Sequence, residues 1–179
     1  MRARILALTL LLLALGACAP PPSPGTSEPE ARTPEPGAQP LPTQPPDLAL
    51  FVAQLQDALL ERKWEQAADL MAPGFVIGYW RDQVYPPVDP AQAVGHIRTF
   101  LLPGGPPSFP EPDAPLAVMV GNRDPLSLWA PELNVVHLLY SRGWGEDALG
   151  EALLAIGQTE DGYRWVGVLA APRGFGRLE

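Results

Sequence analysis

The chain is 179 residues long and carries a net charge of −8, which leaves room for one domain of ordinary size plus extensions. That acidity, with no basic stripe to offset it, removes any electrostatic reason to hold nucleic acid, whose phosphates it would repel. A single Cys excludes an internal disulfide, and two His without a His-Glu-x-x-His spacing exclude a dedicated transition-metal site.

At the start, Arg2 and Arg4 precede an apolar run from Ile5 to Leu15, and Gly16-Ala17 supply small residues before Cys18. The run is shorter than the ~20 residues a membrane span requires, and prolines from Pro20 onward block its extension. Leu15-Gly16-Ala17-Cys18 resembles the lipobox of bacterial lipoproteins. An ordinary secretory signal is the alternative, but a Cys directly after Leu-Gly-Ala favours lipidation. The resemblance implies a signal peptide over residues 1–17, cleaved before Cys18, and acyl chains on Cys18. One chain would bind a membrane only marginally at ~0.8 kcal/mol per buried CH₂; two or three would hold it. It also implies a place on the exported side of a bacterial envelope membrane. By resemblance to Gram-negative lipoproteins, Ala19 in place of Asp implies the outer membrane where the organism has one.

Residues 18–46 read as the lipidated Cys followed by a linker. Eleven of the 28 residues from Ala19 to Pro46 are Pro, and Leu41 is the one bulky apolar side chain among them. Such a stretch buries too little apolar surface to offset the entropy of ordering it. Its prolines favour extended polyproline II at ~3.1 Å per residue, long enough to hold a domain several nanometres from a membrane. A spacer is the plain reading; a Pro-rich ligand for an aromatic groove is the functional one.

Residues 47–179 form the expected domain. Asp47 is a good N-cap, and Leu48, Phe51, Val52, Leu55 and Leu59 recur at helical spacing, predicting an amphipathic helix to about Arg62. Trp64, Ala67, Ala68 and Met71 continue a second helical stripe that Pro73-Gly74 ends. Phe75 to Trp80 reads as a strand, and Pro86-Pro87 breaks the chain. Asp89-Pro90 opens a third helix with Ala93, Val94, Ile97, Phe100 and Leu101 on its apolar face. Pro103 to Pro115 reads as a loop long enough to serve as a lid or rim. Leu116 to Val120 reads as a short strand, 122–133 as irregular, and Val135 to Ser141 as a strong strand. A turn at Gly143-Trp144-Gly145 leads to a strand over 148–158, and Glu160-Asp161-Gly162 signals a hairpin into a strand over 163–170. Residues 173–179 form a tail, in which Arg173-Gly-Phe-Gly-Arg177 is a lone Arg-Gly copy.

The order helix, helix, strand, helix and then antiparallel strands predicts an α+β domain. Together with the Arg62-Lys63-Trp64-Glu65-Gln66-Ala67 junction, the Met71-Ala72-Pro73-Gly74-Phe75 entry and the closing hairpins, it resembles the NTF2-like family, which includes ketosteroid isomerase and the SnoaL-like proteins. The resemblance implies a cone: three N-terminal helices packed on a curved, mostly antiparallel sheet, with a pocket that is catalytic in some members and a binding or dimer-forming surface in others.

For acid–base work in such a cone, His137 is the weak candidate, with Tyr140 as its partner. Strand alternation places His137 with Val135 and Leu139, and Tyr140 on the opposite face with Val136 and Leu138. Isomerase chemistry needs an Asp base beside a Tyr and a protonated acid. Here Asp82, Asp89, Asp124, Asp147 and Asp161 fall in turns or helix faces, which weighs against catalysis. No Gly-x-Ser-x-Gly elbow or phosphate loop is present. Tyr79, Trp80, Trp129, His137 and Trp165 are the candidate ligand-binding set, against the alternative of core packing. Arg81-Asp82 and Arg142 read as solvated strand-end charges. The expected function is a non-catalytic binding domain on an envelope anchor, taking a small apolar ligand or an envelope protein, with no cofactor. A SnoaL- or isomerase-type enzyme and a structural homodimer are the alternatives.

Overall fold

The structure is a computed structural model and describes residues 46–176. All of these lie in one unit, Pro42–Glu179. The expected signal segment, Cys18 and the Pro-rich stretch as far as residue 45 lie outside the described residues.

The described chain is α+β. Helix α1 spans Pro46–Leu60, and α2 spans Trp64–Asp69. Leu48, Phe51, Leu55 and Leu59 are buried along one face of α1, as their spacing requires. The helix ends in a Schellman arrangement: Arg62 takes φ 55°, its N–H bonds the Leu59 carbonyl at 3.3 Å, and the Lys63 N–H bonds the Ala58 carbonyl at 2.8 Å.

Strand β1 spans Met71–Tyr79, beginning before the expected Phe75. Met71 pairs with Trp165, and Trp165 N donates to the Leu70 carbonyl at 2.8 Å. Met71 therefore opens the strand and does not close the second helix. Pro73-Gly74 sits in the bulged interval between Met71 and Val76, where a residue without an N–H costs the ladder nothing. The free edge of β1 is covered by residues 83–88, whose bonds with Phe75, Ile77 and Tyr79 measure 2.8–2.9 Å.

Helix α3, Pro90–His96, starts as expected, with Gln92 N donating to Asp89 Oδ1 at 2.9 Å. It runs into a π-helical turn, Ile97–Leu101, closed by Leu102 N on the Ile97 carbonyl at 2.7 Å. Ile97, Leu101 and Leu102 are buried there, and Phe100 is 62% exposed instead of facing the core. Leu116–Met119 is a short helix, α4, and not a strand. Its N–H groups bond locally to Pro115 and Leu116, and a five-residue apolar run carries no period that separates the two readings.

Strands β2 (Val135–Trp144), β3 (Gly150–Thr159) and β4 (Gly162–Ala171) form a meander. β2 outlasts its expected end at Ser141, and the turn follows Trp144, which is fully buried. The sheet order is β1-β4-β3-β2, with β1 parallel to β4 and the other pairs antiparallel. Register shifts in all three pairings bend the sheet.

Both faces of the sheet are covered. On the helix side, Leu55, Leu59, Phe75, Leu154, Ile156 and Trp165 pack together, with Trp165 edge-on to Phe75 at 4.9 Å. On the other side Val120, Trp129, Leu153, Val166, Leu169 and Phe175 form a second core. Burying each large side chain contributes about 1.5–3 kcal/mol, so each face is an independent source of stability. Among the described residues no helix is long and apolar enough to cross a membrane, and no three His, Cys, Asp or Glu side chains gather as a metal site.

Candidate functional site

The helix-side face holds large buried side chains; an apolar pocket of about 430 Å³ opens on the opposite face. Its floor is Val76, Gly78 and Leu169. One wall is Val84, Tyr85 and Pro87, and the other is the segment from Leu128 to Leu133. Parallel pairing of β1 with β4 sets the floor, because it brings Gly78 beside Leu169. A Cβ at Gly78 would stand 3.1 Å from Leu169 Cδ1 and 3.5 Å from Val84 Cγ2, so the glycine keeps this floor open.

The second wall is a strap of two short turns, tied to the sheet at its far end. Leu126 N donates to Asp124 Oδ1 at 3.0 Å as a short 3₁₀ turn begins. A second 3₁₀ turn, Pro131–Leu133, ends at Asn134, whose Nδ2 donates to the Gln158 carbonyl at 2.9 Å. Between these turns Trp129 is pressed onto the sheet. A Cβ at Gly167 would lie 2.7 Å from Trp129 Cζ3, so only glycine seats the indole there. Trp129 Nε1 is buried without a hydrogen-bond partner. Packing alone therefore holds the ring.

A polar cluster lies on the same face. Gly78, Leu169, Leu153 and Tyr140 form one cross-strand row, with Gly78 at the pocket and Tyr140 at the far end. Tyr140 Oη donates to Glu151 Oε1 at 2.7 Å and accepts from Arg142 Nε at 2.7 Å. Arg142 also pairs with Asp113, and Phe175 N donates to Glu151 Oε2 at 2.7 Å. Burial, and then the Glu151 bond, push the Tyr140 phenol up to about 12. The bonds to Asp113 and Tyr140 hold Arg142 well above its ordinary value. A phenol this reluctant to ionise is no base near neutrality. The cluster instead ties the loop at Asp113 and the chain end at Phe175 to the sheet. Arg142 thus ties the Asp113 loop to the sheet while staying partly exposed, and Glu151 is an acid on a strand that the sequence reading passed over.

The expected binding residues do not converge. Trp129 lines the pocket. Tyr79 and Trp80 border a separate hollow of about 500 Å³ with Arg81 and Pro172, and Trp80 Nε1 bonds the Phe175 carbonyl at 3.2 Å. Trp165 is fully buried in the helix-side core, with its Nε1 donating to the Gly167 carbonyl at 2.9 Å. That closed N–H and full burial leave Trp165 nothing to offer a ligand.

His137 pairs with Ile156, a helix-side residue, whereas Tyr140 pairs with Leu153 on the other face. The two cannot act as one acid–base pair. Val135 joins Leu138 in the second core, because a bulge between Val135 and His137 shifts it off the face expected from alternation. Burial pushes both His137 and His96 below their ordinary value. A His–Tyr hydrogen bond does occur, between His96 Nε2 and Tyr79 Oη at 3.1 Å. Burial raises the Tyr79 phenol, with Tyr85 and Asp82 adding to the rise.

The sequence reading missed Gly78, Val84, Tyr85, Glu132, Leu133 and Leu169. A glycine inside a strand and prolines bracketing the 125–131 segment were the available signals.

No family model matches the chain, and no curated protein matches it. Solved structures do. An NTF-2 like protein of unknown function from Shewanella oneidensis MR-1 aligns at 9% identity over 70% of this chain and 96% of its own, with a TM-score of 0.42. A domain of unknown function with a cystatin-like fold from Nostoc punctiforme PCC 73102 aligns at 15% identity over 76% and 81%, with a TM-score of 0.41. An NTF2-like protein of unknown function from Pseudomonas putida KT2440 aligns at 8% identity over 69% and 82%, with a TM-score of 0.37.

Proposed function

We propose that this chain is a lipid-anchored envelope protein whose NTF2-like domain binds a small apolar molecule in the pocket beside Trp129, without chemical turnover. The observation that carries the binding reading is the pocket itself: about 430 Å³, floored by Val76, Gly78 and Leu169 and walled by Tyr85, Leu128 and Leu133. That size and lining are those of small-molecule sites. The absence of turnover is inferred from the residues nearest to hand. His137 and Tyr140 occupy opposite faces, and the Tyr140 phenol is bound to Glu151 and Arg142. The NTF2-like assignment rests on the element order, with helices on one face of a bent sheet. The anchor rests on Leu15-Gly16-Ala17-Cys18.

An enzymatic reading draws on the Tyr79–His96 bond. Tyr79, however, packs with the helix-side core, across the sheet from the pocket floor.

Titration of the full chain with N-phenyl-1-naphthylamine, a neutral dye that brightens in apolar surroundings, tests the pocket. Saturable brightening is expected in the wild type, with a clear loss in Val84→Trp, a bulky substitution at an exposed lining residue. Equal binding by the two proteins would contradict the site.

A further inference from the structure

The pocket has a charge asymmetry. Among its lining residues Glu132 alone is charged, and no Lys, Arg or His lines it. Glu132 sits on the 3₁₀ turn Pro131–Leu133, fixed from below by the Asn134 bond to Gln158. Its side chain is exposed and makes no ion pair among the described residues. Trp129 lines the same pocket, whereas the Tyr85 ring turns to the helix side, edge-on to Tyr79 at 5.9 Å. A lone carboxylate at the rim of an otherwise apolar pocket is the chemistry that holds the head of an organic cation.

We propose that the pocket takes an amphiphilic cation, with its apolar body on Val76, Gly78 and Leu169 and its ammonium head at Glu132. The proposal rests on the binding reading above and adds the charge of the ligand. An anionic amphiphile would set its head against the Glu132 carboxylate with no cation in the lining to offset the repulsion. A neutral amphiphile gains apolar burial alone. The acidity of the whole chain, at −8, adds a weaker long-range preference of the same sign. A local carboxylate and a diffuse field are separable, because removing one charge abolishes the first and barely alters the second.

The test is calorimetric titration of the full chain with three probes of one chain length: decyltrimethylammonium, decanol and decanoate, all below micelle formation. The ammonium is expected to bind about tenfold tighter than the alcohol, the scale of one charge-assisted contact with the carboxylate, with decanoate weakest. Glu132→Gln should bring the ammonium down to the alcohol and leave the alcohol unchanged, with an unaltered melting curve. Raised salt should narrow the same gap. If the alcohol binds as well as the ammonium, or Glu132→Gln leaves the ammonium affinity intact, the charge selection is wrong while the pocket reading stands. If decanoate binds best, the proposal is overturned outright. If none of the three binds, both the proposal and the pocket reading fall.

Discussion

Trp129 carries the plainest conflict in the domain: a large ring well packed, and an indole N–H buried with no partner. Truncating a buried Trp to Ala typically costs about 3–5 kcal/mol. An orphaned buried donor costs about 1–3 kcal/mol. Trp129→Phe loses part of the packing but also discards the orphan. Its unfolding free energy should therefore fall within about 1.5 kcal/mol of wild type, while Trp129→Ala loses the full amount. Denaturant unfolding of both variants checks this. A loss in the Phe variant as large as in the Ala variant would mean that the N–H is satisfied after all. The same residue explains what composition can and cannot reveal. Trp129 was legible as a candidate only as one member of the domain's aromatic set. Trp165 looked equally good and is core, because strand alternation alone does not tell which face of a sheet holds the cavity.

At the scale of elements, the amphipathic first helix, the Asp89-Pro90 helix start and the Glu160-Asp161-Gly162 hairpin were legible, since each is written in a local pattern. Met71–Gly74 and Leu116–Val120 were not. The first is strand because Leu70 and Met71 meet Trp165, some ninety residues away, and the second is helix through bonds that any short apolar run can make. The pocket floor was hidden for the same reason: Gly78 and Leu169 become neighbours only through the parallel β1–β4 register.

The tie between β2, β3 and the chain end makes a prediction at this scale. The Tyr140 pKa rises from 10.0 to about 12 in the fold, so folding favours the protonated phenol. Its contribution to stability is complete below pH 10 and is lost as pH rises through 12. Wild type should therefore lose stability over that window relative to Tyr140→Phe, measured as the difference between their pH–stability curves. Parallel curves from pH 9 to 12 would show that burial and the Glu151 bond do not favour the protonated phenol.

For the whole molecule, the sheet divides the labour. Both faces hold a buried core, and one of them also carries the pocket and the polar tie. A domain of this kind needs a location as well as a ligand, and the anchor is proposed to supply it. Cys18→Ala should abolish incorporation of a labelled fatty acid and move the protein from the membrane fraction to the soluble one, or leave it as an unprocessed precursor. Undiminished labelling would remove Cys18 as the lipidation site. An anchored, acidic binding domain also suits capture of cationic amphiphiles at an envelope surface, where long-range attraction raises their local concentration.

The pocket is a binding site only if a ligand seats itself against Trp129. The most direct measurement is fluorine NMR of the full chain labelled with 5-fluorotryptophan, assigned by Trp→Phe substitution and titrated with decanol. The neutral probe keeps the charge preference out of the result. A saturable shift is expected at Trp129, while Trp144 and Trp165, both fully buried in the helix-side core, stay in place. A Trp129 resonance that does not move while the others do would contradict the site.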